Sequence, residues 1–218
     1  MDTIISLSGG MDSTTLLAVA IQEGRSCLTI GFTYGSKHNQ FENEAARLVS
    51  QYYEIPFRLI DFSSVSTHFK SDLLSSGGEI PEGHYEASNM KQTVVPGRNM
   101  VFASILAGIA WTEGVGEVWL GIHSGDHAIY PDCRPDFFKA MDSAVIHGTD
   151  KRVCLKAPFL EMNKISILAR GKQLEVPYWL TRTCYKAQSI ACGKCGACQE
   201  RLEAFRINGM DDPVEYER

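Results

Sequence analysis

At 218 residues, with 44 % hydrophobic and 22 % charged side chains, the chain has the size and make-up of one α/β domain that buries a full core. Its formal net charge of -5 argues against a broad electropositive surface for nucleic acid, so a small-molecule partner is expected. No apolar run is read as reaching the roughly 18 residues that cross a bilayer, and a strand starting near Thr3 leaves no room for a secretory leader, which points to the cytoplasm.

The apolar run 3–7 predicts a strand, and Ser8-Gly9-Gly10-Met11-Asp12-Ser13-Thr14 follows it at the start of a helix predicted over 12–22. Paired glycines let the backbone turn sharply and approach a bulky anion. Unpaired amides of the next helical turn attract phosphate, and Ser8, Ser13 and Thr14 add hydroxyls. No lysine completes a kinase-type phosphate loop, and the glycine spacing does not fit the dinucleotide fingerprint. A nucleotide-phosphate loop without lysine remains.

Further strands are predicted over 28–34 and 56–61, with a helix over 40–53 between them, giving β-α-β-α-β and a parallel sheet covered by helices. Residues 63–95 lose periodicity and read as a lid-like insertion with at most one short helix, near 67–74. A helix over 98–113, apolar nearly all round, is expected to be buried. A central strand over 118–122 and helices over 134–146 and 163–174 complete the predicted elements.

Four segments fall at carboxyl ends of predicted strands, where ligands bind in open α/β sheets. They are the phosphate loop, the stretch from Tyr34 to His38, the turn carrying Arg98 and Asn99, and Asp126 with the following Tyr130, Asp132, Cys133 and Arg134. A cation at a helix start opposes the helix dipole, so Arg98 is expected to share an anionic ligand with it. Asp126 can pair with the N–H edge of a guanine-like base.

Of seven cysteines, Cys184, Cys192, Cys195 and Cys198 crowd near the C-terminus. Their spacing suits a tetrahedral metal site better than disulfides, with zinc favoured over an iron–sulfur cluster. The expected domain division is 1–175 for the nucleotide-binding α/β domain and 176–218 for a helical zinc-knuckle segment packed on it.

The loop at 8–15, Val95-Pro96-Gly97-Arg98-Asn99, Tyr130-Pro131-Asp132-Cys133-Arg134-Pro135 and the C-x7-C-x2-C-x2-C knuckle together resemble the 7-cyano-7-deazaguanine synthase (QueC) family of the PP-loop ATP pyrophosphatases. The resemblance implies a Rossmann-like parallel sheet and ATP-dependent conversion of 7-carboxy-7-deazaguanine and ammonia to the nitrile, through an adenylated intermediate. It implies ATP with Mg²⁺ on Leu7, Ser8, Gly9, Gly10, Met11, Asp12, Ser13, Thr14 and Thr15. Arg98, Lys164 and Asp126 become the catalytic candidates, and Tyr34, His38, Asn99, Asp126, Tyr130, Asp132 and Arg134 the substrate-binding ones. Zn²⁺ falls to the four knuckle cysteines, and a homodimer is expected. The chain carries Ser36-Lys37 before His38 where relatives have Gln-Arg, and His127-Ala128-Ile129 where they have Tyr-Ser-Gly. An altered pocket leaves a second outcome: a QueC-like enzyme that joins the activated deazaguanine to another amine, including a protein N-terminus, as in antiphage defence.

Overall fold

The computed structural model describes residues 1–217. In chain order the elements are β1 (Thr3–Ser6), α1 (Met11–Gln22), β2 (Cys27–Thr33), α2 (Asn39–Tyr52), β3 (Phe57–Asp61), the single turn α3 (Ser63–Ser66), α4 (Arg98–Glu113), β4 (Glu117–Trp119), α5 (Pro135–Gly148), β5 (Cys154–Lys156), α6 (Lys164–Gln173) and α7 (Gly196–Ile207). The five strands run parallel in the order β3-β2-β1-β4-β5. Ile4 sits between Leu28 of β2 and Val118 of β4.

Strand alternation builds two cores. Ile4, Leu28, Ile30, Phe32 and Val118 point to one face and pack against α4 through Phe102, Ala103, Leu106 and Ala110. Ile5, Leu7 and Trp119 point to the other face and meet Leu16 and Leu17 of α1, Val49 of α2 and Ile167 of α6. The period of two in a strand makes neighbouring isoleucines serve opposite layers. After β3 the chain returns across the sheet to place β4 on the other side of β1. The order reverses there, so the ends of β1 and β4 frame the crevice where ligands bind in such sheets.

Three expectations need correction. The insertion's one short α-helix is α3 at Ser63–Ser66, and residues 67–74 form turns. Lys37 Nζ donates to the carbonyls of Asp72 (2.6 Å), Leu74 (2.9 Å), Gly77 (3.3 Å) and Gly78 (2.6 Å), and Lys37 N donates to Leu73 O, so this stretch is wrapped around the lysine. The helix α4 is buried on one face only, since Met100 and Trp111 are 50 % and 45 % exposed. The 26-residue stretch Ser88–Glu113 also has membrane-span length and holds an 18-residue window with a mean hydropathy of 1.3, against the sequence expectation. It is no continuous span, for a 3-10 turn (Ser88–Thr93) gives way at Gly97, with φ +65°, to α4, whose inner face lies on the sheet.

The 63–95 segment is docked on the cysteine knuckle. Glu82 bridges Cys195, Gly83 N donates to Lys194 O, and Lys186 Nζ lies 2.6 Å from Glu82. On the knuckle's other side, Ala204 and Phe205 of α7 share a core with Met11, Ala18 and Leu168.

Candidate active site

The loop between β1 and α1 is shaped around its glycines. Gly9 has φ +78°, and a Cβ there would sit 2.4 Å from Ala46 N and 2.7 Å from Glu42 O, so only glycine fits against α2. Ser8 Oγ and Ser13 Oγ lie 3.1 Å apart, Ser8 Oγ accepts from Gly10 N, and no side chain caps α1. The amides of its first turn are therefore left to a ligand. Thr14 and Thr15 turn inward: Thr14 Oγ1 donates to Gly10 O at 2.8 Å, and Thr15 Oγ1 donates to Met11 O and meets Tyr178 Oη.

An open cleft runs from this loop across the ends of β1 and β4. Leu7, Ser8, Gly10, Met11, Asp12, Ser13, Tyr34, Arg98, Asn99, Asp126 and Lys164 all reach it. Arg98 Nη1 points to Tyr34 Oη at 3.4 Å, and no carboxylate lies within 4.0 Å of it among the described residues. This guanidinium at a helix start is available to an anion. Asn99 is set by Asp132, whose Oδ2 accepts Asn99 N at 2.8 Å and whose carbonyl accepts the Asn99 amide at 3.1 Å.

At the floor a buried charge cluster forms. Lys164 Nζ, from the start of α6, lies 2.5 Å from Glu200 Oε2 and 3.3 Å from Asp12 Oδ2. His123 Nε2 stands 3.6 Å from Asp12 and 3.5 Å from Asp126. Burial works against the charged form of each, yet the Lys164 ammonium and His123 hold the Asp12 carboxyl well below its usual range. The same burial depresses His123, and Asp126 with Asp12 overcomes it, raising the imidazole to about 9. Lys164 is likewise kept charged by Asp12 and Glu200.

Other candidates stand outside this cleft. His38 is 1 % exposed, with Nε2 3.2 Å from Glu42 and its ring beside Tyr185. Tyr130 lines a second, narrower cavity and shares a 2.8 Å hydrogen bond with Thr93. Asp132 is spent on Asn99, and exposed Arg134 donates to His127 O at 2.9 Å. The cleft also holds residues the sequence reading passed over. Among them are His123, which follows β4, and Glu200, Thr183 and Tyr185 of the knuckle region. Their one signal was position beside a strand end or a cysteine. Cys133 reaches the cleft too, but burial pushes its thiol well up, away from a reactive thiolate.

The four knuckle cysteines are all buried, unpaired by disulfides, and bring their sulfurs within 4.8 Å of one another. Cys192 Sγ and Cys198 Sγ are 4.0 Å apart. A zinc tetrahedron with Zn–S bonds of about 2.3 Å has sulfur–sulfur edges of about 3.8 Å, so the arrangement fits the metal. Backbone amides of Lys186 and Cys192 point to Cys184 Sγ, and those of Lys194 and Cys195 to Cys192 Sγ, at 3.3–3.4 Å, stabilising thiolates.

Comparison with solved structures shows the fold alone. The chain matches a predicted subunit of a tRNA methyltransferase from Methanocaldococcus jannaschii at a TM-score of 0.50 and 13 % identity, covering 100 % of this chain and 92 % of that one. It matches the U34-tRNA thiolase NcsA of Methanococcus maripaludis at a TM-score of 0.53 and 14 % identity, over 96 % of this chain and 65 % of that one. Sequence relatives are nearer. The 7-cyano-7-deazaguanine synthase of Marinobacter nauticus is 46 % identical over 99 % of this chain and 97 % of its own length. The 7-cyano-7-deazaguanine synthase 2 of Colwellia psychrerythraea is 47 % identical over 98 % and 97 %, and the Caldicellulosiruptor bescii enzyme 45 % over 100 % and 98 %. The family model described as queuosine biosynthesis protein QueC matches residues 2–209, which takes in the glycine loop, the Arg98 turn and the cysteine knuckle alike. With a sheet, a cleft and near-full-length relatives in agreement, the chain belongs to the QueC family of queuosine-biosynthesis enzymes.

Proposed function

We propose that the protein makes 7-cyano-7-deazaguanine from 7-carboxy-7-deazaguanine, ammonia and ATP, acting as a cytoplasmic homodimer on a free base rather than on nucleic acid. The observation that carries this reading is the convergence of three groups on one cleft: the uncapped amides after Ser8, the guanidinium of Arg98 without a carboxylate partner, and the Asp126 carboxylate.

The triphosphate tail rests on the loop at 8–13, and Mg²⁺ arriving with ATP would offset the phosphate charge. The substrate carboxylate attacks the α-phosphorus, pyrophosphate leaves, and an acyl adenylate forms. Arg98 and the Lys164 ammonium stabilise the charge that grows on phosphate oxygens. Asp126 accepts from the N–H edge of the base, and Tyr34 and Asn99 border the same space. Ammonia then displaces AMP to give the amide. A second ATP adenylates the amide oxygen with loss of pyrophosphate, that oxygen leaves with AMP as the two amide protons pass to solvent, and the nitrile remains. Positioning and electrostatics supply the rate, and no covalent enzyme intermediate is needed. Zn²⁺ on Cys184, Cys192, Cys195 and Cys198 has a structural role, holding the C-terminal segment 176–218 on the ATP-binding domain 1–175, while the 63–95 segment covers the rear of the site.

The test is to incubate zinc-loaded protein with Mg-ATP and 7-carboxy-7-deazaguanine, with and without ammonium, and to weigh the products. Nitrile that appears only with ammonium is expected, and Arg98→Ala should lower its rate by about 100-fold or more. An amide end point, or an adduct on a protein amine, overturns the nitrile reading in favour of ligation to another acceptor. Nucleotide binding without turnover overturns catalysis altogether.

A further inference from the structure

Arg182 stands two residues before Cys184, is 8 % exposed, and lines the cleft. Its backbone runs along the glycine loop: Arg182 N donates to Gly9 O at 2.8 Å, and a Cβ at Gly10 would lie 3.6 Å from Arg182 O. Its side chain turns to the knuckle. Nη1 donates to Ser189 O at 2.9 Å, and Nη2 donates to Lys186 O at 3.0 Å and Gln188 O at 2.6 Å. Cζ lies 4.7 Å from the centre of the Phe41 ring, and Nε has no partner among the described residues. No carboxylate comes within 4.0 Å of this guanidinium among the described residues; Glu42, next to Phe41 in the chain, faces His38 Nε2 at 3.2 Å instead.

A buried cation with no acid beside it is costly unless dipoles or an arriving anion compensate it. Three carbonyls and the Phe41 ring face supply part of that compensation, and they pin the guanidinium where it is. The other two cations of the cleft are placed differently. Lys164 is held by Glu200 and Asp12, and Arg98 lies beside Tyr34 at the start of α4. Of the three, only Arg182 is bonded through its backbone to the glycine turn, in a loop that carries no lysine of its own.

We propose that Arg182 is the fixed counter-charge for the terminal phosphates of the nucleotide, taking from behind the loop the part that a lysine plays in kinase-type phosphate loops. The inference rests on the reading above that the triphosphate tail lies on residues 8–13, and it assigns the charge which that loop lacks. A charge set in a buried wall is screened less than a surface one, so the guanidinium acts on the tail through space. Its pull grows with the number of phosphates on the loop, strongest for ATP and weakest for AMP. The phosphates are bound before and during attack at the α-phosphorus alike, so the effect falls on nucleotide affinity rather than on kcat.

The test is calorimetric titration of the whole chain with ATP, ADP and AMP at fixed Mg²⁺, for wild type, Arg182→Gln and Arg182→Lys. Arg182→Gln keeps a donor for the carbonyls and removes the charge; Arg182→Lys keeps the charge and loses the planar fork. Arg182→Gln is expected to raise the ATP dissociation constant about tenfold or more, that of ADP by less, and that of AMP by no more than about twofold. Arg182→Lys should stay within about threefold of wild type for all three. Inorganic tripolyphosphate, which carries the charge without adenosine, should follow ATP through the series. Equal losses of ATP and AMP affinity in Arg182→Gln overturn the proposal in favour of a purely structural residue, as does ATP affinity that stays unchanged. An Arg182→Lys protein as weak for ATP as Arg182→Gln places the effect in the grip on residues 186–189 and overturns it too. Wild-type nitrile formation with ATP affinity indifferent to residue 182 sinks this inference alone, whereas a wild type that binds no nucleotide sinks the parent reading with it.

Discussion

His123 is held in place by opposing forces large enough to measure. Burial alone disfavours its charge, and the Asp126 and Asp12 carboxylates reverse that, raising the imidazole to about 9 from an ordinary value near 6.5. A folded-state pKa above the unfolded one stabilises the fold fully below pH ~6.5, and the contribution is lost as pH rises through about 9. His123→Gln should therefore be destabilised relative to wild type, on the order of 2–3 kcal/mol near pH 6, with the gap closing toward pH ~10. Urea unfolding of both proteins at stepped pH checks this; a gap that stays constant or widens refutes the account. At this scale the sequence was legible where a residue broke a rule. Arg98 stood out because a cation at a helix start needs an anion, and the structure leaves its guanidinium without a carboxylate. Glu200 broke no rule, since its role depends on which way α7 turns after Cys198, and cysteine spacing does not encode that. Lys37 was read as a lost arginine, yet it spends its ammonium on four carbonyls of the 63–95 segment.

Among the elements, the cysteine knuckle and the 63–95 segment behave as one unit. Glu82 pairs with Cys195 and with Lys186, and Gly196 is so close to Tyr85 and Met90 that a Cβ there would lie 2.9 Å from Met90 Sδ. The knuckle in turn starts α7, whose Phe205 shares a core with Met11 and Leu168. Removing the metal should thus loosen the insertion before the sheet, because four thiolates lose the ion that holds them together. Chelating the metal proposed for the knuckle, or Cys195→Ser, is expected to speed proteolytic cleavage within 63–95 about tenfold or more while far-UV circular dichroism keeps most of its helical signal. Cleavage at the wild-type rate in metal-free protein refutes the coupling. Strands and helices up to β3 were legible because apolar periodicity and glycine turns mark them. The insertion was not, since its backbone is satisfied by distant groups such as Lys37 and Lys194 that no local pattern reveals. The three-residue edge strand β5 was too short to give a period.

For the whole molecule, the parallel sheet and its reversal beside β1 explain why one cleft gathers residues from α1, α4, α6 and α7. The same architecture leaves one helix face unaccounted for. Along α4, Met100, Ser104, Gly108 and Trp111 follow one another at helical spacing and are all exposed, flanked by half-buried Val101, Ile105 and Ile109. Its composition, which led to the expectation of a fully buried helix, is met by the sheet on one side only. The homodimer proposed above supplies the other side, since small residues at Ser104 and Gly108 allow close helix approach and Met100 with Trp111 provide apolar anchors. Burying each anchor is worth about 1.5–3 kcal/mol, enough for a pair of such faces to weigh heavily in a dimer. Met100→Glu should then shift the dimer dissociation constant upward by about 100-fold, seen as a monomer in sedimentation velocity at concentrations where wild type is a dimer. Because Met100 is 50 % exposed, the variant monomer should retain its fold by circular dichroism, which separates lost association from lost folding. A Met100→Glu protein that still sediments with the wild type places the dimer contact elsewhere and leaves the α4 face to solvent.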